Sequence, residues 1–244
     1  MNAPLANTPL AGTILALTIA IAVSPLYAQK SSPGQMRKFP SAEEVSRQWL
    51  PRHPEPRDEA EKQIIAVMDD MQDNQARAMG NVLPEDGRLM RMLTESLNAQ
   101  HVVELGTANG YACMWFGLGL RATGGKLTTH EIDPDRIAMA KDNFRRAGVE
   151  KLVTLVEGDA HETIKDMKGP IDILLLDAEK EGFCDYLEKL LPLVRQGGLI
   201  IAHDSSGQAY MLDDYFKVIT KNTDLETVFV DASKWGMCIT RKMR

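Results

Sequence analysis

Polar side chains recur in this chain where apolar runs of strand length come to an end. Glu131 closes "KLTTHEI", Asp159 follows "LVTLVEG", Asp177 closes "IDILLLD", and His203 and Asp204 close "GLIIAHD". Upstream, "VVELGTANGYA" (102–112) plants a carboxylate, Glu104, inside an apolar run just before Gly106, Thr107 and Gly110. Glycines after a strand let the backbone pass close to a ligand, and the helix that follows presents free N–H groups. An acid at the end of the next strand can accept both hydroxyls of a ribose, which is the chemistry assigned to Glu131. A carboxylate within a strand is costly unless it is paired, so Glu104 stands out as a residue that needs a partner. The dinucleotide spacing G-x-G-x-x-G is not met, because Ala108 and Tyr111 occupy its second and third glycine positions.

These residues need a scaffold that brings strand ends together. Five apolar runs, at 101–106, 126–132, 152–158, 171–177 and 198–204, alternate with helical segments. Strands separated by helices and buried on both faces are parallel. "DPDRIAMAKDNFRRAG" shows how such a helix is bounded: Asp133 caps it, Pro134 opens it, Ile137, Ala140, Phe144 and Ala147 form one apolar stripe, and Gly148 stops it. A further helix is expected near "AYMLDDYFKVITK". Then "LETVFV" and "GMCITRK", joined by "DASKW", read as a hairpin. The expected fold is therefore α/β, a doubly wound, mostly parallel seven-stranded sheet with a C-terminal antiparallel hairpin. Ligands of such sheets bind beyond the carboxyl ends of the strands, where strand order reverses.

Length and charge narrow the rest. The chain has 244 residues, 44% of them hydrophobic, with a net charge of -6. One domain with one sizeable core fits that length. The negative balance argues against a nucleic-acid partner, which would need a basic face. Residues 11–23, "AGTILALTIAIAV", are too short for a comfortable membrane span and precede a small residue, Ala28. They read as a signal peptide (1–28) exporting the protein, or as an anchor that leaves the domain cytoplasmic and gives an N-terminal membrane contact. Residues 29–57 are Pro-rich and charged and read as a linker, with the domain proper over 58–244. Cys113, Cys184 and Cys238 suit neither a disulfide framework nor a zinc cluster and are expected to be small buried hydrophobes.

The pattern E-x-G-x-x-x-G followed by an acid closing the next strand resembles the first two motifs of class I S-adenosylmethionine-dependent methyltransferases. Beyond the class, "AMGNVLPEDGRLMRML", "ELGTANGYA", "HEIDPDRIAMAKDNFRRAGVEKLVTLVEGDA" and "LLDAEKEGF" look like successive segments of the catechol and caffeoyl-CoA O-methyltransferase group. That resemblance runs from about residue 60 to the C-terminus. It implies S-adenosylmethionine as cofactor and a small hydroxylated, catechol-like acceptor. Within the cofactor site it implies Val82 and Ala112 flanking the molecule, Glu104 at its cationic methionine end and Glu131 on its ribose. The loop of Gly106, Thr107 and Gly110 would lie beside it, with Asp159 and Ala160 by the adenine and Asp177 between cofactor and metal. Lys180, three residues after Asp177, would be the catalytic base. A phenol titrates near ~10, so methyl transfer at neutral pH needs a base and gains from a cation on adjacent oxygens.

One motif departs from the group. Magnesium-binding members show Ala-Asp-Asn at the fifth strand, where this chain has Ala202, His203 and Asp204. Three readings are open: magnesium held by Asp177 and Asp204, a softer ion such as manganese using His203 as well, or no metal, with retained metal favoured. His203 can instead orient the acceptor or act as an additional base. Among weaker candidates, His130 and Trp115 are expected to pack, His161 to touch the adenine edge or only water, and Gln208, Tyr210 and Trp235 to shape the acceptor pocket. The alternative to an enzyme is a noncatalytic nucleoside-binding or interaction protein that kept the fold. An oxidoreductase is disfavoured by the glycine spacing. The oligomeric state is left between monomer and homodimer.

Overall fold

The computed structural model describes residue 40 and residues 42–244. The segment read as a signal peptide or anchor, 1–28, lies outside the described residues. Within 40–244, nine α-helices and seven strands are described. The N-terminal helices are α1 (Ala42–Trp49), α2 (Glu59–Asn74), α3 (Ala76–Met79) and α4 (Pro84–Ser96). Then β1 (His101–Leu105), α5 (Tyr111–Thr123), β2 (Lys126–Glu131), α6 (Pro134–Ala147) and β3 (Val153–Glu157) alternate. They are followed by α7 (Ala160–Thr163), β4 (Ile171–Leu176), α8 (Phe183–Leu190) and β5 (Val194–His203). The chain ends with α9 (Asp213–Lys221), β6 (Leu225–Val230) and β7 (Met237–Lys242).

The strands form one sheet in the order β3-β2-β1-β4-β5-β7-β6. β1 to β5 are parallel, and β7 runs antiparallel to both β5 and β6. Order reverses between β1 and β4, so the expected ligand edge lies at the carboxyl ends of those two strands. Side chains alternate across the sheet. Val102 packs into a cluster with Met68, Trp115 and Phe144, while Val103 and Leu105 pack with Phe183, Tyr186 and Tyr215 on the other face. All six residues of β4 are buried, as a central strand covered on both faces requires.

Within the segment read as a linker, 29–57, the described residues 42–57 include a helix and a buried side chain. "AEEVSRQW" has good helix formers between Pro40 and Pro51 and forms α1. His53 is buried, with Nδ1 3.0 Å from Asp69 and Nε2 2.9 Å from the Tyr111 hydroxyl. The core therefore reaches back past residue 58, because a histidine with two polar partners can be buried where charge and proline content suggested solvent. Among the described residues no helix is long and apolar enough to cross a membrane. Helix α6 is bounded as its sequence predicts: the Asp133 side chain accepts from the N–H groups of Asp135 and Arg136, and Gly148 is left-handed with φ +70. Cys113 and Cys238 are buried, but Cys184 is only half-buried on α8.

Candidate active site

The carboxyl ends of β1, β2, β4 and β5 surround a cavity of about 800 Å³. That is ample for a nucleoside cofactor with a small acceptor beside it. Val82, Gly106, Thr107, Ala112 and Glu131 line it from the β1–β2 side. Asp159, Ala160, Asp177, Lys180 and Asp204 also line it. Ten residues chosen from strand ends and motif order thus share one cleft.

The loop after β1 is shaped by the protein's own crowding as much as by a ligand. A Cβ on Gly106, at φ +98, would stand 2.5 Å from the carbonyl oxygen of Asp177. One on Gly110 would stand 2.5 Å from the Phe144 ring, and Gly110 does not line the cavity. Both glycines are thus required by close packing against β4 and α6. Ala108 is left-handed, with φ +47, and its N–H donates to Glu131 Oε2 at 2.8 Å. Glu131 Oε1 accepts from the N–H groups of Ile132 and Asp133, each at 3.0 Å. The carboxylate is therefore locked at the cavity wall, with three of its roughly four acceptor sites filled and about one left, on Oε2, for a hydroxyl donor.

Glu104 is placed differently from expectation. It is completely buried and does not line the cavity. Its Oε2 accepts from Cys113 Sγ at 2.6 Å and from Thr129 Oγ1 at 2.5 Å, and Thr107 Oγ1 lies 2.6 Å from Thr129 Oγ1. Its Oε1 is buried with no partner in the chain. Burial pushes its pKa up to about 7, against the hydrogen bonds from Cys113 and Thr129.

At the β4 and β5 ends a charged cluster gathers. Lys180 Nζ lies 3.4 Å from Asp177 Oδ1 and 3.2 Å from Asp204 Oδ2, with its side chain only 6% exposed. His203 is buried beneath them. Its Nδ1 is 3.3 Å from Asp177 Oδ1 and 3.3 Å from Asp204 Oδ1, and its Nε2 is 3.1 Å from Asp86 Oδ2. Burial opposes charge on this ring, but Asp177, Asp86 and Asp204 outweigh it and raise its pKa to about 10. Burial likewise disfavours charge on Asp177, yet His203 and Lys180 hold its carboxyl below the usual range. Asp204 is left-handed, with φ +61, a conformation that costs about 1–3 kcal/mol outside glycine and turns its carboxylate back onto the cluster. Asp177, His203 and Asp204 each offer a ligand atom, all within 4.8 Å of one another.

Sequence reasoning missed Asp86 and Ser233. Asp86 is fully buried in the first turn of α4 and accepts from Ser233 Oγ at 2.5 Å as well as facing His203. An acid in a first turn reads as a dipole complement, and nothing local signals its burial. His161, expected to touch the adenine edge or only water, instead has protein partners that the sequence did not reveal: it lies 3.1 Å from Glu179, approaches Asp185 and stacks on Tyr186 at 4.5 Å, and Tyr186 donates to Glu179. His161, Glu179 and Tyr186 all line the cavity. The Asp185 hydrogen bond raises the His161 pKa. His130 packs, as expected, 2.8 Å from Thr163 Oγ1, and burial lowers its pKa to about 4. Trp115 is fully buried. Gln208 lines the cavity, but Tyr210 is 82% exposed outside it, and Trp235 packs over Gly207.

The family comparison agrees with this geometry. The O-methyltransferase family model matches residues 57–213, and the chain belongs to that family. A catechol O-methyltransferase of Niastella koreensis is 32% identical over 138 residues, covering 55% of this chain and 62% of that protein. A catechol O-methyltransferase of Mycobacterium tuberculosis is 31% identical over 121 residues, covering 49% of this chain and 54% of that protein. The chain thus spans little more than half the length of these relatives. Among solved structures, an SAH-bound methyltransferase of Podospora anserina superposes with a TM-score of 0.71 at 20% identity, over 86% of this chain and 100% of that one. An O-methyltransferase of Bacillus cereus in complex with SAH gives 0.65 at 20% identity, over 82% and 96%. At that identity the likeness is one of fold, and it bears out the class I methyltransferase sheet expected from the motif order.

Proposed function

We propose that this chain transfers the methyl group of S-adenosylmethionine to a hydroxyl of a small, catechol-like aromatic acceptor, with Lys180 as the base. The observation that carries this reading is that Lys180, Asp177 and Asp204 line the same cavity as Glu131. A nucleoside-holding acid and a proton-handling cluster therefore meet in one cleft. Relatives named as catechol O-methyltransferases support the reaction class.

S-adenosylmethionine fits the residues present. Glu131 is held with free acceptor capacity for the ribose, and Asp159 and Ala160 begin α7 beside the cavity. Glu104 does not line the cavity and would act on the cofactor only through the loop, by the hydrogen bonds that run from its Oε2 to Thr129 and on to Thr107. Asp177 faces both Lys180 and the cavity and carries the negative charge that steadies a sulfonium nearby.

The chain's own residues then set up an in-line displacement. The cleft holds acceptor oxygen and methyl carbon in reach of each other, which can lower a barrier by roughly 7–11 kcal/mol at best. Lys180 first gives up its own proton to solvent; its neutral Nζ then takes the proton from the acceptor hydroxyl, and the resulting phenolate attacks the methyl carbon as the thioether leaves. Asp177, Asp204 and, once deprotonated, His203 Nδ1 can hold a divalent ion, since their donor atoms lie within 4.8 Å of one another. When bound there, such an ion supplies Lewis-acid stabilisation of a phenolate on two adjacent oxygens.

The test is methyl transfer from S-adenosylmethionine to a catechol panel, read by mass spectrometry of the methylated product. A methyl ether formed by the native chain and lost in Lys180→Ala is the expected result; no product on any acceptor, with or without added divalent ions, contradicts it. For residues 1–28 the reading stays with an export signal or anchor, and mass measurement of the mature N-terminus decides between them.

A further inference from the structure

Asp86 has no ordinary reason to be where it is. A carboxylate with no solvent exposure costs several kcal/mol unless it is paired, and Asp86 sits 117 residues from the partner it faces, His203. Its Oδ2 lies 3.1 Å from His203 Nε2, and Ser233 Oγ, 2.5 Å away, donates to the same oxygen. Ser233 thus fixes the direction of the carboxylate, and the carboxylate in turn fixes the ring. A histidine that ligates an ion nearly always donates its other ring N–H to a carboxylate or carbonyl, which sets both tautomer and orientation. The opposite nitrogen, Nδ1, stands 3.3 Å from one carboxylate oxygen of each of Asp177 and Asp204. Neighbouring ligands at ~2.1 Å around one octahedral ion stand about 3 Å apart, so the two spacings from His203 are compatible with a shared ion.

We propose that Asp86 is a positioning residue that turns His203 Nδ1 into a metal ligand, and that the resulting one-nitrogen, two-carboxylate set takes a borderline divalent ion such as manganese or cobalt in preference to magnesium. The proposal deepens the reading given under Proposed function and rests on it. Magnesium demands oxygen ligands in near-ideal geometry, whereas imidazole suits later first-row ions. Formal charge agrees: with His203 a neutral ligand, Asp86, Asp177 and Asp204 against Lys180 leave two negative charges for the ion to neutralise. Asp204, with its left-handed backbone, has a carboxylate oxygen within 4.8 Å of the other two donors.

The experiment uses the full chain stripped with a chelator, titrated with manganese, cobalt and magnesium by calorimetry, with SAH titrated in parallel. One manganese should bind per chain, at least ~10-fold more tightly than magnesium, and spin-echo spectra of bound manganese should show modulation from a ligand nitrogen. Asp86→Asn should weaken manganese ~10–100-fold while SAH affinity stays within about twofold. Ser233→Ala, which keeps the carboxylate but frees it, should weaken manganese in the same direction. His203→Asp should abolish the nitrogen signal and shift the preference toward magnesium, an outcome a merely structural histidine would not give. SAH binding without any metal binding overturns the proposal and leaves His203 as an imidazolium serving as the site's fixed cation. Magnesium binding as tightly as manganese, or unchanged manganese affinity in folded Asp86→Asn, overturns it too. Absence of SAH binding would instead count against the methyltransfer reading itself.

Discussion

Lys180 Nζ lies 3.2 Å from Asp204 Oδ2, joining the loop after β4 to the end of β5 across the mouth of the cavity. The amine is held by two carboxylates from different strand ends rather than waving from a loop, which separates it from an ordinary solvated lysine. Lys180→Ala should lower kcat by ~10²–10⁴-fold, with little change in cofactor affinity. Lys180→Arg should not rescue it, because guanidinium does not give up its proton near neutral pH. Steady-state kinetics with separate cofactor titrations check both.

Glu104 predicts a pH dependence with a defined sign. Folded Glu104 keeps its proton up to about 7, whereas an unfolded glutamate loses it near ~4.3. Between these values the folded state binds more protons, so stability falls as pH rises through the window, by roughly 3 kcal/mol. Glu104→Gln should flatten that part of the profile in urea melts taken from pH 5 to pH 8. The same variant should weaken cofactor binding by about a few-fold, through the Thr129 and Thr107 hydrogen bonds that tie Glu104 to the cavity loop. Unchanged affinity would leave Glu104 as a buried structural acid only.

Gly106 is a steric prediction with an internal control. An added methyl there meets the Asp177 carbonyl at 2.5 Å in a backbone region that disfavours any Cβ, while Gly124, at φ +75, has open space around it. Gly106→Ala should cost more than about 2 kcal/mol and displace Asp177. Gly124→Ala should cost about 1 kcal/mol through backbone strain alone. Thermal melts of the two variants make the comparison.

Glu131 ties three backbone N–H groups, those of Ala108, Ile132 and Asp133, and also lines the cavity. Glu131→Gln can keep only part of this network, because an amide offers one acceptor oxygen where the carboxylate offers two. Cofactor affinity should fall ~10-fold or more, with a loss of stability of ~1–3 kcal/mol from the N–H groups left unpaired. Calorimetry and denaturant melts separate the two effects.

The sheet was legible because its signals are local. Strand-length apolar runs, the Asp133–Pro134 start and the Gly148 stop of α6, and the glycine-rich turn after β1 each announce themselves within a few residues. The cavity residues followed from them, since parallel strands place their carboxyl ends on one edge. What escaped depends on chain segments far apart in sequence. Asp86 meets His203 only after α4 packs beside the β5 end, and the same holds for Ser233. Gly110 was assigned to ligand approach, but the pattern cannot reveal that Phe144 lies against it. His53 was lost in a charged, Pro-rich stretch whose polarity hides a buried histidine with two partners. Glu104 was recognised as anomalous, yet its depth below the cavity wall follows from Cys113 and Thr129, which no motif includes.

The central claim is that one cleft holds a sulfonium-bearing nucleoside against Glu131 with Lys180 beside it. Titration of SAH into the purified chain by calorimetry tests it most directly. Saturable binding of one molecule per chain, weakened by Glu131→Gln and left nearly intact by Lys180→Ala, is the predicted result. Absence of any binding heat from SAH or S-adenosylmethionine at high protein concentration, in a chain shown to be folded, contradicts it.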